Sequence, residues 1–482
     1  MPSPTVRRLV LLVALFLSCL TLAIPECNAG EKPNVVFIMV DDMGYGDLGC
    51  YNADSKIPTP NIDRLASQGM KFTDAHAPAA VCIPTRFGLM TGSYPFRMTR
   101  RGQQPLIPPE QLTVGKLLQK HGYRTGMVGK WHLGVEHEKD PPADTALSGG
   151  PVDRGFDSFF GIPASLDIPP YYYIRGDRAV APPGLTIGDS SSEGWTKIQG
   201  AFWRAGGLAP GYKHLEVTPK FTEEAINYLA DQSAEKPFFL YLAYPSPHTP
   251  WLPTKEFNGR SKAGMYGDFV AQVDASIGQV LQQLDKLQLS GNTLLFLTSD
   301  NGPVWYETDT ARFGHSSTGI MRGMKGDAWE GGHRMPFLVR WPGKIEAGST
   351  TGNLACHTDL MATLAELLET ELPEKAGPDS FSMLPTLLSQ PSTQTVRTTL
   401  VSQSSGGFQA IRAGNWKLIP ELGSGGFSNP RREKPQPGGP QGQLYDLASD
   451  PSETTNLYQQ HPEIVARLAA LFTRYESNGH SR

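Results

Sequence analysis

Unbroken apolar runs and three- and four-residue periodicities divide most of this chain into buried strands and amphipathic helices. Val35-Val36-Phe37-Ile38-Met39-Val40 has no polar position, as expected for a parallel strand buried on both faces; a half-solvated strand would alternate. Comparable runs lie at Pro237–Leu242 and Leu294–Thr298, with a weaker one at Thr125–Gly129. Between them, Phe269, Val273, Ile277, Val280, Leu281 and Leu284 recur at the spacing of a helix with one apolar face. Strands alternating with helices predict a three-layer α/β domain.

The pattern changes near Thr398. Leu400-Val401-Ser402, Phe408–Arg412 and Trp416–Ile419 are short alternating runs separated by glycine, and they predict a small antiparallel sheet. A Pro/Gly-rich loop, Asn429–Gly442, leads to Leu444–Leu447 and a last helix carrying Ile464, Leu468, Leu471 and Phe472. The expected division is a main domain over 30–395 and a C-terminal α+β subdomain over 396–482.

At the N-terminus, Arg7 and Arg8 precede an apolar run, Leu9–Leu17, and a stretch ending Cys27-Asn28-Ala29-Gly30. This order predicts a signal peptide over 1–29 and an exported, periplasmic or extracellular protein. The run is too short to read as a transmembrane span. Cys19, following Leu17 and Ser18, leaves a lipoprotein anchor as the alternative. Cys50, Cys82 and Cys356 remain after cleavage, an odd number that excludes a dense disulfide framework.

Composition adds little to this picture. Net charge is −4, from 43 Lys and Arg against 47 Asp and Glu, so the polybasic footprint of a nucleic-acid binder is absent. Gly 51 and Pro 41 point to many shaped loops rather than a helical bundle.

The chemistry follows the apolar runs. Asp41 and Asp42 close the first, Ser299-Asp300-Asn301-Gly302 another, Pro247-His248-Thr249-Pro250 a third and Lys130-Trp131-His132 the fourth. In open α/β sheets ligands bind beyond the carboxyl ends of the strands, so these four ends converge on one crevice. Taken alone, an Asp pair after a strand is equally a turn or a helix cap. As a ligand set, Asp41, Asp42, Asp300 and Asn301 are all oxygen donors, which suits calcium better than zinc and leaves magnesium open.

The most specific segment is Cys82-Ile83-Pro84-Thr85-Arg86. Proline is favoured in the first helical turn, so Pro84 predicts a helix running through Phe87, Leu89 and Met90 with Cys82 at its mouth. Unpaired N–H groups there favour an oxyanion, and Arg86 lies one turn on along the same face. The segment resembles the Cys-x-Pro-x-Arg signature of the type I sulfatases. Gly-Lys-Trp-His-Leu-Gly around Lys130 and His132, Pro-His-Thr-Pro around His248, and Gly323-Met324-Lys325-Gly326 followed by Glu330–Pro336 extend the resemblance.

That resemblance implies an alkaline-phosphatase-like α/β/α fold with a large mixed, mostly parallel sheet, and hydrolysis of a sulfate monoester. It implies that Cys82 is oxidised to Cα-formylglycine by a formylglycine-generating enzyme before folding. One calcium ion would be held by Asp41, Asp42, Asp300 and Asn301, with residue 82 beside them as a further ligand. One hydroxyl of the hydrated aldehyde attacks sulfur and expels the alcohol; loss of the second hydroxyl's proton then releases sulfate and restores the aldehyde. Calcium, Lys130 and Lys325 polarise sulfate oxygens, Arg86 positions the hydrate, and Asp300 activates the attacking hydroxyl. His248 or Lys325 protonates the leaving oxygen, and His132 takes the second hydroxyl's proton.

What carries the sulfate is less legible. A sulfated saccharide or an aryl sulfate is the expected substrate, with Arg97 and His315 as substrate-binding candidates and Arg100 and Arg101 beside Arg97. Tyr171, Tyr172, Tyr173, Trp203, Trp251 and Trp305 either line a sugar pocket or pack the loops. The rival readings are a phosphomonoester or phosphonate-ester hydrolase on the same scaffold and a non-catalytic glycan-binding relative.

Overall fold

In the computed structural model, which describes residues 32–390 and 396–482, the apolar runs form the centre of a ten-stranded sheet. Five strands are parallel neighbours in the spatial order Thr293–Ser299, Asn34–Asp41, Phe238–Pro247, Arg124–Lys130 and Ser158–Ile162. Every residue of the first three is buried, which requires cover on both faces.

Two groups of helices supply that cover. Pro60–Ser67 and Val217–Ala230 pack on the long helix Gly264–Lys286, which buries the apolar stripe its periodicity predicts. Cys82–Thr91, Val114–Lys120 and Leu360–Leu367 form the second group. Antiparallel pairings continue the sheet on both sides: Phe337–Arg340 and then Met70–Phe72 on one, where Ser349–Thr351 adds a last parallel strand at the edge, and Ile174–Arg175 and Arg178–Ala179 on the other. The sheet is thus mixed and mostly parallel within three layers, as expected.

Thr399–Gln403, Gln409–Ala413, Trp416–Ile419 and Gln443–Asp446 form a separate antiparallel meander against the Pro462–Asn478 helix. Its first strand also reaches the main domain. Ala80 N–H donates to the Gln403 carbonyl (2.8 Å) and Gln403 N–H to that of Pro78 (3.0 Å), so the small sheet is bonded to the segment that leads into Cys82. Cys50, Cys82 and Cys356 are all unpaired thiols; Cys50 and Cys356 do not form a disulfide. The expected signal peptide and Cys19 lie outside the described residues.

Candidate active site

Because the central strands are parallel, their carboxyl ends fall on one side of the sheet. Their spatial order sets Asp300, Asp41, His248 and Lys130 next to one another although these residues come from distant parts of the chain. Gly129 makes the last approach possible: with φ 121°, it would place a Cβ 1.9 Å from the Ala243 carbonyl oxygen, so a side chain there would push Lys130 away from its neighbours.

Carboxylate oxygens of Asp41, Asp42 and Asp300 lie within 4.8 Å of one another. Asp42 N–H donates to Asp300 Oδ1 (3.3 Å), and Asn301 Nδ2 to Asp42 Oδ1 (2.6 Å). Three buried cations answer this negative charge. Lys130 Nζ donates to Asp41 Oδ2, and Lys325 Nζ to both oxygens of Asp42 (2.6 and 2.8 Å). Arg86 Nε and Nη2 donate to Asp300 Oδ2 (3.2 and 2.8 Å), while its Nη1 donates to the Lys130 carbonyl (2.9 Å).

Burial alone would raise the Asp41 pKa, but Lys130 first, then His248, Arg86 and Lys325, hold it well below the usual carboxylate range. Asp300 moves the other way, to about 7, because burial and the Asp41 charge both disfavour its ionised form. Asp41 Oδ1 and Asn301 Oδ1 are buried without a hydrogen-bond partner. Such oxygens are costly to leave unpaired. Three clustered carboxylates, with an unpartnered amide oxygen on the residue after Asp300, fit a hard cation, calcium or magnesium, and not zinc.

The helix beside this cluster runs Cys82–Thr91, so Cys82 is its first residue and Pro84 its third; it starts two residues before the proline. Val81 precedes it in extended conformation with no side-chain cap, and Gly92 ends it in left-handed conformation (φ 64°). First-turn N–H groups are therefore not capped by a side chain. Cys82 Sγ, an Asp41 carboxylate oxygen and a ring nitrogen of His248 lie within 4.8 Å of one another. Burial raises the Cys82 pKa, although Lys130 and Lys325 pull it down. A thiol held protonated in this way is a poor nucleophile.

His132 follows Lys130 in left-handed conformation (φ 57°), and its Nδ1 is buried without a partner. Burial, then Lys130 and Arg86, lower its pKa well below the usual range, so it is neutral. His248 Nδ1 bonds the Thr249 carbonyl (2.7 Å), leaving Nε2 3.8 Å from Asp42 Oδ2. Lys325 is placed by its loop: its N–H donates to the Pro303 carbonyl (2.9 Å), and Gly326 N–H donates to that of Ala80 (2.7 Å), next to the Cys82–Thr91 helix.

The loop after Ser158–Ile162 adds one residue that the apolar pattern did not single out. Asp167 Oδ1, buried without a hydrogen-bond partner, lies 3.9 Å from His248 Nδ1. The strand before it carries serine and glycine among only five residues; the one available signal was its position before another polar loop.

Arg97 and His315 are not brought to this site. Both Asp379 oxygens accept from Arg97 (2.7 and 2.8 Å), as does the Tyr475 carbonyl (2.9 Å). His315 is fully buried, with Nε2 2.9 Å from Asp47 Oδ1. Tyr171, Tyr173, Trp251 and Trp305 are buried too, packing among neighbouring aromatics such as Tyr212, Trp195 and Tyr266, and buried Tyr172 donates its hydroxyl to the Glu138 carbonyl (3.0 Å). The cavity that reaches Cys82 and His132, about 500 Å³, has no aromatic wall.

Residues 33–370 match the family model described as Sulfatase. The chain is 36% identical over 479 residues to an N-acetylgalactosamine-6-O-sulfatase of Bacteroides thetaiotaomicron, covering 92% of each. It is 37% identical over 370 residues to human arylsulfatase A, covering 74% of this chain and 68% of that one. A solved structure described under the metabolism of multiple glycosaminoglycans by Bacteroides thetaiotaomicron superposes with a TM-score of 0.81 at 36% identity, over 92% of this chain and 99% of the other.

Proposed function

This chain belongs to the sulfatase family and hydrolyses sulfate esters; on that premise we propose that it is an exported enzyme acting on a sulfated saccharide through formylglycine at position 82 and one calcium ion. The observation that carries the reading is the meeting of Cys82 with Asp41 and His248 at the mouth of its helix. When present, the hydrated aldehyde supplies a hydroxyl nucleophile for sulfur, and the cation held by Asp41, Asp42, Asp300 and Asn301 supplies positive charge beside the sulfate oxygens.

The chain's own side chains do the rest. Lys130 and Lys325, the buried ammonium groups on Asp41 and Asp42, face the non-bridging oxygens. Arg86, fixed by Asp300 and the Lys130 carbonyl, keeps residue 82 oriented, and Asp300 takes the proton of the attacking hydroxyl. His248 Nε2 returns a proton to the leaving oxygen, with Lys325 as the second candidate. His132, whose buried Nδ1 has no other partner, accepts the proton that restores the aldehyde. Losing Lys130 or Lys325 costs on the order of 10²–10³ in rate, the scale of removing one preorganised oxyanion donor.

The relative named for N-acetylgalactosamine 6-sulfate makes a hexosamine 6-O-sulfate the first saccharide to test. Mass spectrometry of the tryptic peptide containing Cys82, from protein made in its own host, is run beside turnover of 4-nitrophenyl sulfate, 4-nitrophenyl phosphate and N-acetylgalactosamine 6-sulfate. An aldehyde or hydrate mass with release of sulfate from the saccharide supports the reading. An unmodified thiol with full turnover overturns the nucleophile, and phosphate release faster than sulfate release favours the phosphomonoesterase rival.

A further inference from the structure

The cavity over Cys82 has two unlike sides. Ile83, Met98, Leu106 and Ile168 give it an apolar wall, while Arg101, Gln104 and Gln403 bring polar groups, the last from the small C-terminal sheet. At about 500 Å³ it is within the range of small-ligand sites and extends beyond the sulfate-binding end.

The cations around it differ in one respect. Arg86, Lys130 and Lys325 are each paired with a carboxylate of the reaction centre, and Arg97 with Asp379. Among the described residues Arg101 has no carboxylate partner. One of its Nη atoms donates to the Pro95 carbonyl (2.9 Å), which tethers the guanidinium at the cavity wall. Its remaining donors form a planar fork that suits bidentate contact with a carboxylate or a sulfate.

We propose that Arg101 is a second anion-binding site in the cavity over Cys82, reading a carboxylate or an additional sulfate on the saccharide whose ester is cut. The proposal rests on the sulfatase reading above and names what that reading leaves open. The substrate's ester sulfate lies at the strand ends, where lysines and a cation receive it; a further anion on the same sugar or its neighbour meets Arg101. The apolar wall then covers the C–H face of the ring, and the glutamine amides meet hydroxyl or amide groups.

The test compares kcat/KM of the wild-type enzyme, Arg101→Gln and Arg101→Lys on four probes. These are 4-nitrophenyl sulfate, N-acetylgalactosamine 6-sulfate, that sugar linked to glucuronate, and that sugar with a second sulfate at O4. We expect Arg101→Gln to lower kcat/KM on one doubly anionic probe about 10- to 100-fold more than on the singly anionic ones, the scale of a charge-assisted hydrogen bond. The loss is expected in KM rather than kcat, with partial recovery in Arg101→Lys. A selective loss with glucuronate identifies a carboxylate, and a selective loss with the disulfated sugar identifies sulfate. Equal losses on all probes, or none on either doubly anionic one, overturn the proposal. Wild-type enzyme inert on all four would overturn the sulfatase reading itself.

Discussion

His76 Nδ1 and His333 Nδ1 face one another at 3.1 Å, both fully buried where the main and small sheets meet. Lys417 Nζ lies 3.1 Å from His333 Nε2, and Asp74 Oδ1 lies 2.9 Å from His76 Nε2. Lysine has only donors, so His333 Nε2 accepts, its Nδ1–H donates to His76, and His76 Nε2–H donates to Asp74. This chain of hydrogen bonds holds only while both rings are neutral. Glu330 completes a trio of metal-ligand types, but every ring nitrogen is engaged and Arg412 and Lys417 add positive charge, so the group does not fit a cation.

Burial lowers the pKa of both histidines, and Lys417 lowers that of His333 further. The unfolded chain takes up these protons near pH 6.5 while the folded chain refuses them, so the contribution to stability is complete above that pH and lost as pH falls below it. Thermal melts between pH 8 and pH 5 are expected to show this acid loss. His333→Gln should flatten the dependence by about 1.4 kcal/mol per pH unit for each uptake removed. An unchanged slope would refute the neutral pair.

Cys82→Ala is expected to abolish turnover, by a factor on the order of 10⁵–10⁶ as for other covalent nucleophiles, with a melting temperature close to wild type. Among the described residues no hydrogen bond to the Cys82 sulfur holds the core together, and alanine fits the first position of its helix. Wild-type turnover of an aryl sulfate by this variant would disprove covalent catalysis at position 82.

Chelation addresses the oxygen cluster. With the cation removed, Asp41 Oδ1 and Asn301 Oδ1 again lack partners, so EDTA should remove activity and lower the melting temperature. Calcium at about 100 times its Kd should restore about 2.7 kcal/mol of stability. In Asn301→Ala the calcium-dependent shift should shrink. A melt indifferent to EDTA and calcium would count against the metal.

His315→Ala is expected to destabilise the fold by about 1–3 kcal/mol by leaving Asp47 short of a buried partner. Saccharide preference should stay as it is, measured as the ratio of kcat/KM on N-acetylgalactosamine 6-sulfate to that on 4-nitrophenyl sulfate. A changed ratio at unchanged stability would return His315 to the substrate.

Arg97→Ala removes the cation that binds Asp379 and the Tyr475 carbonyl of the last helix. Breaking one side of such a buried pair costs about 3–5 kcal/mol. Hydrogen exchange should show the Pro462–Asn478 helix opening more readily, and a protected helix would contradict the assignment.

The sequence alone determined the features that depend on near neighbours. An unbroken apolar run has to be buried on both faces, so Val35–Val40 and its counterparts were readable as central strands, and parallel strands put the groups that follow them at one end. Residue type then limited the chemistry: oxygen donors at Asp41, Asp42, Asp300 and Asn301, and a cysteine one helical turn from Arg86. The tertiary structure alone decided which polar side chains were left free for a ligand. Arg97 is used up by Asp379, 282 residues away, and His315 by Asp47, 268 residues away. No local pattern encodes those pairings, because they follow from strand order and loop paths. Asp167 shows the reverse: the strand before its loop is too short to signal itself, and only the folded chain sets its carboxylate 3.9 Å from His248 Nδ1. Arg101 gains its meaning in the same way, since one wall of its cavity is Gln403, at the end of a strand that begins at Thr399.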